Sequence, residues 1–514
     1  MCLVFEPFFC EKERKMLEAL KKEANLTETL NGDVAYYSTT NCLLDFFSKA
    51  GALRGCEKET IQKWFAPAYY ENPDYAMKCL FFARDIRQGL GERQVFRYCV
   101  EWLGENKPES IIKNLKYIPE YGRWDDAVYI LSVVRNKSVR DSVYAILKEQ
   151  FDKDLSAIAK SYGSISLLGK WLPSINTSSS DARRLAKGII RRFGITAKDY
   201  RKSLSSMRSK ISIIENNLRV RDYSFDYSKV PSKAMMKYRR CFLRNDVYRY
   251  ESYLDDVAKG KQKINVSTLN PVDIVFQCKK RHWNDEPISE SERKMLDVAW
   301  KALPDYTNGE DAIVVADVSG SMTWGKGNNI RPIDVSISLA LYYAEHNTGA
   351  FKDHFILFSQ NPRLVSLSKL KSEDILAKVE YVRQIDEWTN TDLDAVFDLI
   401  LRTAIKNKIP QGKLPKRIYI ISDMQFDVGM DNADMDTFNR YRKLFGEHGY
   451  ELPQIVYWNV NDYGTSPVTS NEQGCCLVSG YSSKMFGMVT SEDINPVKVM
   501  MDILDVDRYK DIVA

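Results

Sequence analysis

From about residue 36 to 300, apolar residues recur at helical spacing. In "DARRLAKGIIRRFG" (181–194), Ala182, Leu185, Ala186, Ile189, Ile190 and Phe193 follow i, i+3, i+4, i+7, i+8, i+11 and form one stripe. Ser180 or Asp181 can cap its start, and Gly194 can end it. "DYAMKCLFFARDIR", "ERQVFRYCVEWL", "KVPSKAMMKYRRCFLRND" and "SERKMLDVAWKAL" read as further helices, joined by turns such as "QGLGE" and "EYGRW". Many helices with few strands imply a helical-repeat array of the HEAT kind, and the absence of a strict repeat makes it a degenerate one.

After about residue 305 the period changes. "AIVVAD", "HFILFS", "RLVSLS", "RIYIISD", "QIVYWNV" and "GCCLVSG" are apolar runs of strand length, and helical patterns fall at 332–347, 371–381, 392–407 and 434–447. Apolar strands alternating with helices predict a doubly wound, mostly parallel sheet. "HFILFS" and "RLVSLS", split only by Gln360, Asn361 and Pro362, predict an antiparallel hairpin at one edge. The expected organisation is a multidomain α plus α/β chain: an extension at 1–35, a helical module at 36–300 and a sheet domain at 305–514. The first 35 residues suggest no function.

Composition narrows the classes. Among 514 residues, 44% are hydrophobic and 28% charged, as in an ordinary folded chain. No apolar stretch is long enough to cross a bilayer, so no membrane partner is expected. "MCLVFEPFFCEKERK" puts its apolar residues before its charges, the reverse of a secretory signal. Ten scattered cysteines without a C-x-x-C pair suit reduced thiols, hence a cytoplasmic location with the nucleus as alternative. The four histidines never fall at i, i+4, which argues against a zinc enzyme.

"DAIVVADVSGSMTWG" (311–325) carries the most specific chemistry. Asp317 ends a predicted buried strand, Ser319 and Ser321 sit in the turn after it, and Asp423 ends a second strand, "IYIISD". Thr391 lies in "EWTNTDLDAVF", just before a helix, with Thr389 as its rival. Ligands of such sheets bind beyond the strands' carboxyl ends. Two carboxylates and two or three hydroxyls meeting there are hard oxygen donors of the kind Mg²⁺ (or another divalent cation) prefers, with water completing its shell. The alternative is that the serines cap the following helix and Asp423 closes a turn. No histidine or lysine base, D-x-D, G-x-S-x-G or Walker loop accompanies the motif, so the metal is expected to bind rather than react, and the chain is expected not to be an enzyme. The set resembles the metal-ion-dependent adhesion site of von Willebrand factor A domains, D-x-S-x-S matching Asp317, Ser319 and Ser321. The resemblance assigns Thr391 and Asp423 as the remaining ligands and implies an open coordination position for an acidic group of a protein partner. The Gly-Gly common before the family's threonine is Thr389-Asn390 here.

The net charge of +5 conceals an asymmetry. Residues 181–250 hold 19 Lys/Arg against 6 Asp/Glu, a surplus of 13, leaving −8 on the rest. Arg183, Arg184, Lys187, Arg191 and Arg192 sit off the apolar stripe; Arg201, Lys202, Arg208, Lys210, Lys237, Arg239 and Arg240 follow, interleaved with tyrosine and phenylalanine. Cations neutralise phosphates and rings stack on bases, so the block is a candidate nucleic-acid surface. "RQGLGER" and "YGRWDD" read as structural corners, with Arg84, Arg87 and Arg93 pairing Asp85 and Glu92, and Arg123 meeting Asp125 or Asp126. "NPDYAMKCLFFARDIRQGLGERQVFRYCVEWL" followed by "IPEYGRWDDAVYI" resembles the TROVE-type helical module of Ro ribonucleoproteins, which also precedes an A domain. "SLLGKWLPSINTSS", "KDYRKSLSSMRSKISIIE", "KVPSKAMMKYRRCFLRND" and "LVSGYSSKMF" are similar to a large uncharacterised family with the same domain order. The resemblance implies a helical ring closed by the A domain, an RNA partner, and a monomer or small assembly. The alternative is a metal-dependent protein-interaction scaffold without nucleic acid.

Overall fold

The computed structural model describes residues 16, 19–160, 163–211, 213–278, 287–325, 330–358, 361–371, 373–385, 391–427 and 436–514. Thr389 lies outside these.

A short antiparallel hairpin leads, β1 (Leu26–Glu28) and β2 (Val34–Tyr36), with Leu26 opposite Tyr36. Helices then run from Cys42–Lys49 to Glu290–Lys301. The Ser180–Phe193 helix forms as its stripe predicts, burying Ala186, Ile189 and Phe193. Its cap is Ser179, one residue earlier than expected, which accepts from the Ala182 N–H at 3.3 Å; Gly194 ends it at φ 67°. Phe193 packs on Phe151 of the Lys137–Ala159 helix, with ring centroids 5.1 Å apart.

The second part is one six-stranded sheet: β3 (Ala312–Asp317), β4 (His354–Phe358), β5 (Arg363–Ser366), β6 (Arg417–Ser422), β7 (Gln454–Asn459) and β8 (Cys475–Ser479). The order is β5-β4-β3-β6-β7-β8, parallel except for the antiparallel edge strand β5. Every residue of β3, β6 and β8 is buried, which requires cover on both faces. The Pro332–His346 helix packs over β3, β4 and β6. Six expected strands, the edge hairpin and the intervening helices thus appear where the alternating pattern put them. HEAT-type repetition is not evident from the helix packing.

The two parts interlock through residues far apart in sequence. Tyr36 and Ser466 exchange two backbone hydrogen bonds of 2.9 Å, and the Cys42–Lys49 helix lies against β8. Lys49 pairs with Asp462 at 3.1 Å in full burial. In return, the chain's last residues pack on the first helices: Arg508 and Tyr509 converge on the buried Asp85, and the Ala514 N–H reaches Asp74 at 2.8 Å. The tightest seam is Gly51 on Gly480, where a Cβ on Gly51 would stand 2.4 Å from the Gly480 Cα. Two backbones cannot both move aside there. Gly51→Ala is therefore expected to destabilise the chain by about 1–3 kcal/mol, read from denaturant unfolding.

Two sequence-derived pairings are corrected. Arg84 pairs with Asp126 at 2.7 Å and Arg54 with Glu92 at 2.5 Å, while Asp85 is taken by Arg508. Arg93 reaches Asp125, at 3.9 Å. Arg123 meets Asp126 through its backbone N–H at 3.1 Å. Helix packing sets the Arg84, Arg54 and Arg508 pairs, while Arg87 meets Asp85 through its backbone N–H at 2.8 Å, as Arg123 meets Asp126, by nearness along the chain.

Candidate functional site

β3 and β6 are neighbours from which the chain departs in opposite directions, β3 leading to β4 on one side and β6 to β7 on the other. Such a switch point opens a crevice beyond the strand ends. Asp317 closes β3 and Asp423 follows β6, so both carboxylates reach that crevice.

Asp317 is buried. Its Oδ1 accepts from the Ser319 N–H at 2.9 Å and its Oδ2 from the Ser422 hydroxyl at 2.5 Å. The hydroxyls of Ser319 and Ser321 lie 3.1 Å apart. Asp423 is buried too; its Oδ1 accepts from the Gln425 N–H at 3.2 Å, while Oδ2 has no hydrogen-bond partner among the described residues. Burial, then the Asp317 carboxylate, push the Asp423 carboxyl up to about 7, with the Ser321 hydroxyl working against the shift. Burial likewise raises Asp317. Thr391 is buried and joins through Asp427: its N–H donates to Asp427 Oδ2 at 2.6 Å, and the Asp427 N–H returns to Thr391 O at 2.9 Å.

The serine-cap alternative does not describe this turn. Ser319 makes no side-chain cap bond at the 3-10 turn Gly320–Thr323, and the helix Pro332–His346 begins at Arg331. Two buried, mutually repelling carboxylates with an orphaned oxygen, flanked by hydroxyls, form a donor set that suits a hard divalent cation. Among the described residues no three His, Cys, Asp or Glu side chains gather as a metal cluster, so hydroxyls and water have to supply the other ligands. Sequence reading missed Ser422 and Asp427. Ser422 was legible as the polar residue closing "IYIIS"; Asp427 carried no signal.

The basic residues divide. Arg183, Arg184, Lys187, Arg191 and Arg192 line one concavity of about 750 Å³ between the Ser180–Phe193 helix and the Lys137–Ala159 helix, which adds Arg140 and Tyr144. Arg184 pairs with Asp181 and Arg192 with Asp141, while Lys187 and Arg191 are exposed without an ion pair among the described residues. Arg201 lines a second concavity of about 590 Å³ with Asn176, Asn216 and Arg219. Lys202, Lys210 and Lys237 are exposed. Arg240 is half-exposed and pairs with Glu292 at 3.0 Å.

One expectation is corrected here, for Arg239. Arg208 is half-buried and donates to Gly169 O, Leu172 O and Ser174 Oγ at 2.8–2.9 Å, while still lining the second concavity beside Arg201. Arg239 is buried, bonding Glu292, Gln277 and Met236 O. Arg208 braces the Leu168–Trp171 turn through its carbonyls, and Arg239 is neutralised by Glu292. The interleaved rings are also mostly core: Tyr227, Phe242, Tyr250 and Tyr253 pack on one another with centroids 4.9–6.3 Å apart. Tyr248 alone of that stretch is strongly exposed.

No helix among the described residues is long and apolar enough to cross a membrane, and their eight cysteines are free thiols. A helical part followed by a six-stranded, mainly parallel sheet, with carboxylates at the switch point, defines the class of protein. The model of a domain family of unknown function, DUF2828, matches residues 29–153 and 137–307, more than half the chain, and the chain belongs to that family. A second domain of unknown function, DUF7788, matches residues 311–502. The uncharacterized protein L728 of Acanthamoeba polyphaga mimivirus is 28% identical over 518 residues, covering 94% of this chain and 88% of that protein. Among solved structures, the Ro (RSR) protein of Deinococcus radiodurans overlaps 91% of this chain and 99% of its own, at 12% identity and a TM-score of 0.41, too loose a likeness to argue from.

Proposed function

We propose that the chain is a non-enzymatic RNA-binding protein whose helical part offers a basic surface to phosphates, and whose sheet part is a von Willebrand A-type domain holding Mg²⁺. One observation carries the reading. Arg140, Arg183, Arg184, Lys187, Arg191 and Arg192 line a single concavity in which Asp181 is the lone acid of the lining. Such a concentration of cations fits a phosphodiester backbone better than a single carboxylate partner. Tyr144 lies in the same wall, with the Arg140 and Arg192 guanidiniums over its ring at 5.9 and 5.4 Å from the centroid.

The test is binding of the full chain to a structured RNA with a single-stranded 3′ tail, across a salt series. Tight binding whose logarithm falls linearly with log salt supports the reading, with a slope of about −0.7 per neutralised phosphate on a single strand. Binding that is absent, or insensitive to salt, overturns it.

In the sheet part, Asp317, Ser319, Ser321, Thr391 and Asp423 would hold the metal, which supplies positive charge between the two carboxylates and a site for an anionic group. Adding Mg²⁺ is expected to raise the thermal midpoint of the chain and to leave Asp423→Asn unmoved, because the amide removes one ligand charge. Equal responses in both would remove the metal from this reading. A second function, a metal-dependent scaffold for an acidic protein, draws on the exposed Trp324 one residue beyond the Gly320–Thr323 turn. Its mark is Mg²⁺-dependent capture of a protein that survives ribonuclease and is lost in Asp317→Ala.

A further inference from the structure

The hairpin at the head of the chain is hydrogen-bonded to the loop that carries the candidate metal ligands, almost four hundred residues away. Thr29 Oγ1 donates to Phe426 O at 2.6 Å, the Leu30 N–H to Gln425 Oε1 at 2.8 Å, and Asn31 Nδ2 to Gln425 O at 2.8 Å. Gly32 forms an antiparallel bridge with Asp427, and the Asn31 side chain also favours the Asp427 carboxylate. The loop passes this grip inward on two paths. Gln425 gives its N–H to Asp423 Oδ1 at 3.2 Å, which leaves Oδ2 as the oxygen without a partner. Asp427 holds Thr391 by the two bonds already described, at 2.6 and 2.9 Å.

Separate contacts hold the base of the hairpin. Asp33 accepts from Thr437 Oγ1 at 3.0 Å, the Tyr36 hydroxyl donates to Asp436 at 2.9 Å, and Tyr36 pairs with Ser466. The tip can therefore loosen while the base stays attached. Its four residues, 29–32, contact the ligand loop.

We propose that docking of the hairpin tip and metal binding at Asp317 and Asp423 are thermodynamically coupled, with Asn31 and Gln425 as positioning residues. A docked tip fixes Gln425, Gln425 fixes the rotamer of Asp423, and Asp427 fixes Thr391, so the oxygen donors are set before the cation arrives. Coupling is reciprocal: the cation tightens the tip by the same factor that the tip tightens the cation. The hairpin thus makes the first residues of the chain part of the metal centre's second layer, and whatever detaches the tip weakens the metal. This inference rests on the Mg²⁺ reading of the site.

The experiment uses the full chain and two readouts. Calorimetric titration with Mg²⁺ compares the unaltered chain with Asn31→Ala, whose side chain is exposed and whose loss leaves the hairpin base intact. Hydrogen exchange of residues 26–36 in the unaltered chain, with and without Mg²⁺, needs no substitution and decides the matter should the variant misfold. The expected result is about fivefold weaker Mg²⁺ binding in Asn31→Ala, with unchanged metal-free unfolding, and slower exchange at 29–33 when Mg²⁺ is added. Mg²⁺ binding that is equal in both proteins, with exchange at 29–33 indifferent to the metal, overturns the coupling alone. Failure of the unaltered chain to bind Mg²⁺ overturns the metal reading, and the coupling with it.

Discussion

Lys187→Glu combined with Arg191→Glu is expected to weaken RNA binding on the order of 100-fold at physiological salt, about 1.4 kcal/mol for each reversed side chain. These two, like Arg183, are exposed cations of the concavity without an ion pair among the described residues; Arg183 is tied to the Thr177 and Ser178 carbonyls, and Arg184 and Arg192 already face Asp181 and Asp141. Reversal replaces attraction with repulsion at the same place. Two lost phosphate contacts also lower the salt slope by roughly 1.4 on a single strand. Folding is expected to be unchanged, since both side chains of the Ser180–Phe193 helix are exposed and substitutions at such positions fall within about 0.5 kcal/mol. Reversing two exposed lysines of the sheet part together, Lys406 and Lys413, alters net charge equally and serves as the control. A filter-binding or fluorescence titration separates the outcomes. Equal losses in the control and in the double variant would make the effect one of overall charge, and the concavity would no longer carry the function.

The largest effect on stability is expected from Asp126→Ala, about 3–5 kcal/mol. Asp126 is buried and holds four hydrogen-bond donors. Arg84 reaches Oδ2 through Nε and Nη2 at 2.9 and 2.7 Å, Arg97 Nε reaches Oδ1 at 2.8 Å, and the Arg123 N–H reaches Oδ2 at 3.1 Å. The Arg84 side chain is only 2% exposed, so truncating its partner strands a guanidinium in the core. The carboxylate also ties the start of the Trp124–Val133 helix to the Pro73–Arg84 helix, and Gly122 lets the chain pass within 2.5 Å of it as measured from a notional Cβ. Replacing both partners, Arg84→Met with Asp126→Leu, is expected to cost less than the single change, because no charge is then buried alone. Urea unfolding of the two variants checks the order. A double variant worse than the single one would mean that the pair's geometry, and not its charge, holds the corner.

Much of the candidate site was legible because its parts are local. A run of four or five apolar positions in a strand buries both faces, so the first polar residue after it, Asp317 or the Ser422-Asp423 pair, emerges at the sheet's edge where ligands gather. The serine spacing after Asp317 then puts two hydroxyls in one turn, and they stand 3.1 Å apart. The basic concavity was half legible. Helical periodicity located the five cations of 183–192, but the facing wall, Arg140 and Tyr144, comes from a helix some forty residues earlier. Arg239 misled for a related reason. Its sequence neighbours are as charged as those of Arg191, and only the Glu292 carboxylate of a packed helix decides that it points inward.

The sequence by itself determined the order and kind of the elements: helices to about residue 300, then alternating strands and helices with one antiparallel edge. Those properties follow from periods of 3.6 and 2, which each short segment carries without its neighbours. It also determined that two carboxylates and two serines lie at strand ends. The tertiary structure decided what those elements do to one another. It laid residues 29–32 on Gln425, Phe426 and Asp427, returned Arg508 and Tyr509 to Asp85, and seated Gly51 against Gly480. Each of these joins residues about four hundred positions apart through shape and unsatisfied polar groups, and neither leaves a periodic trace along a chain.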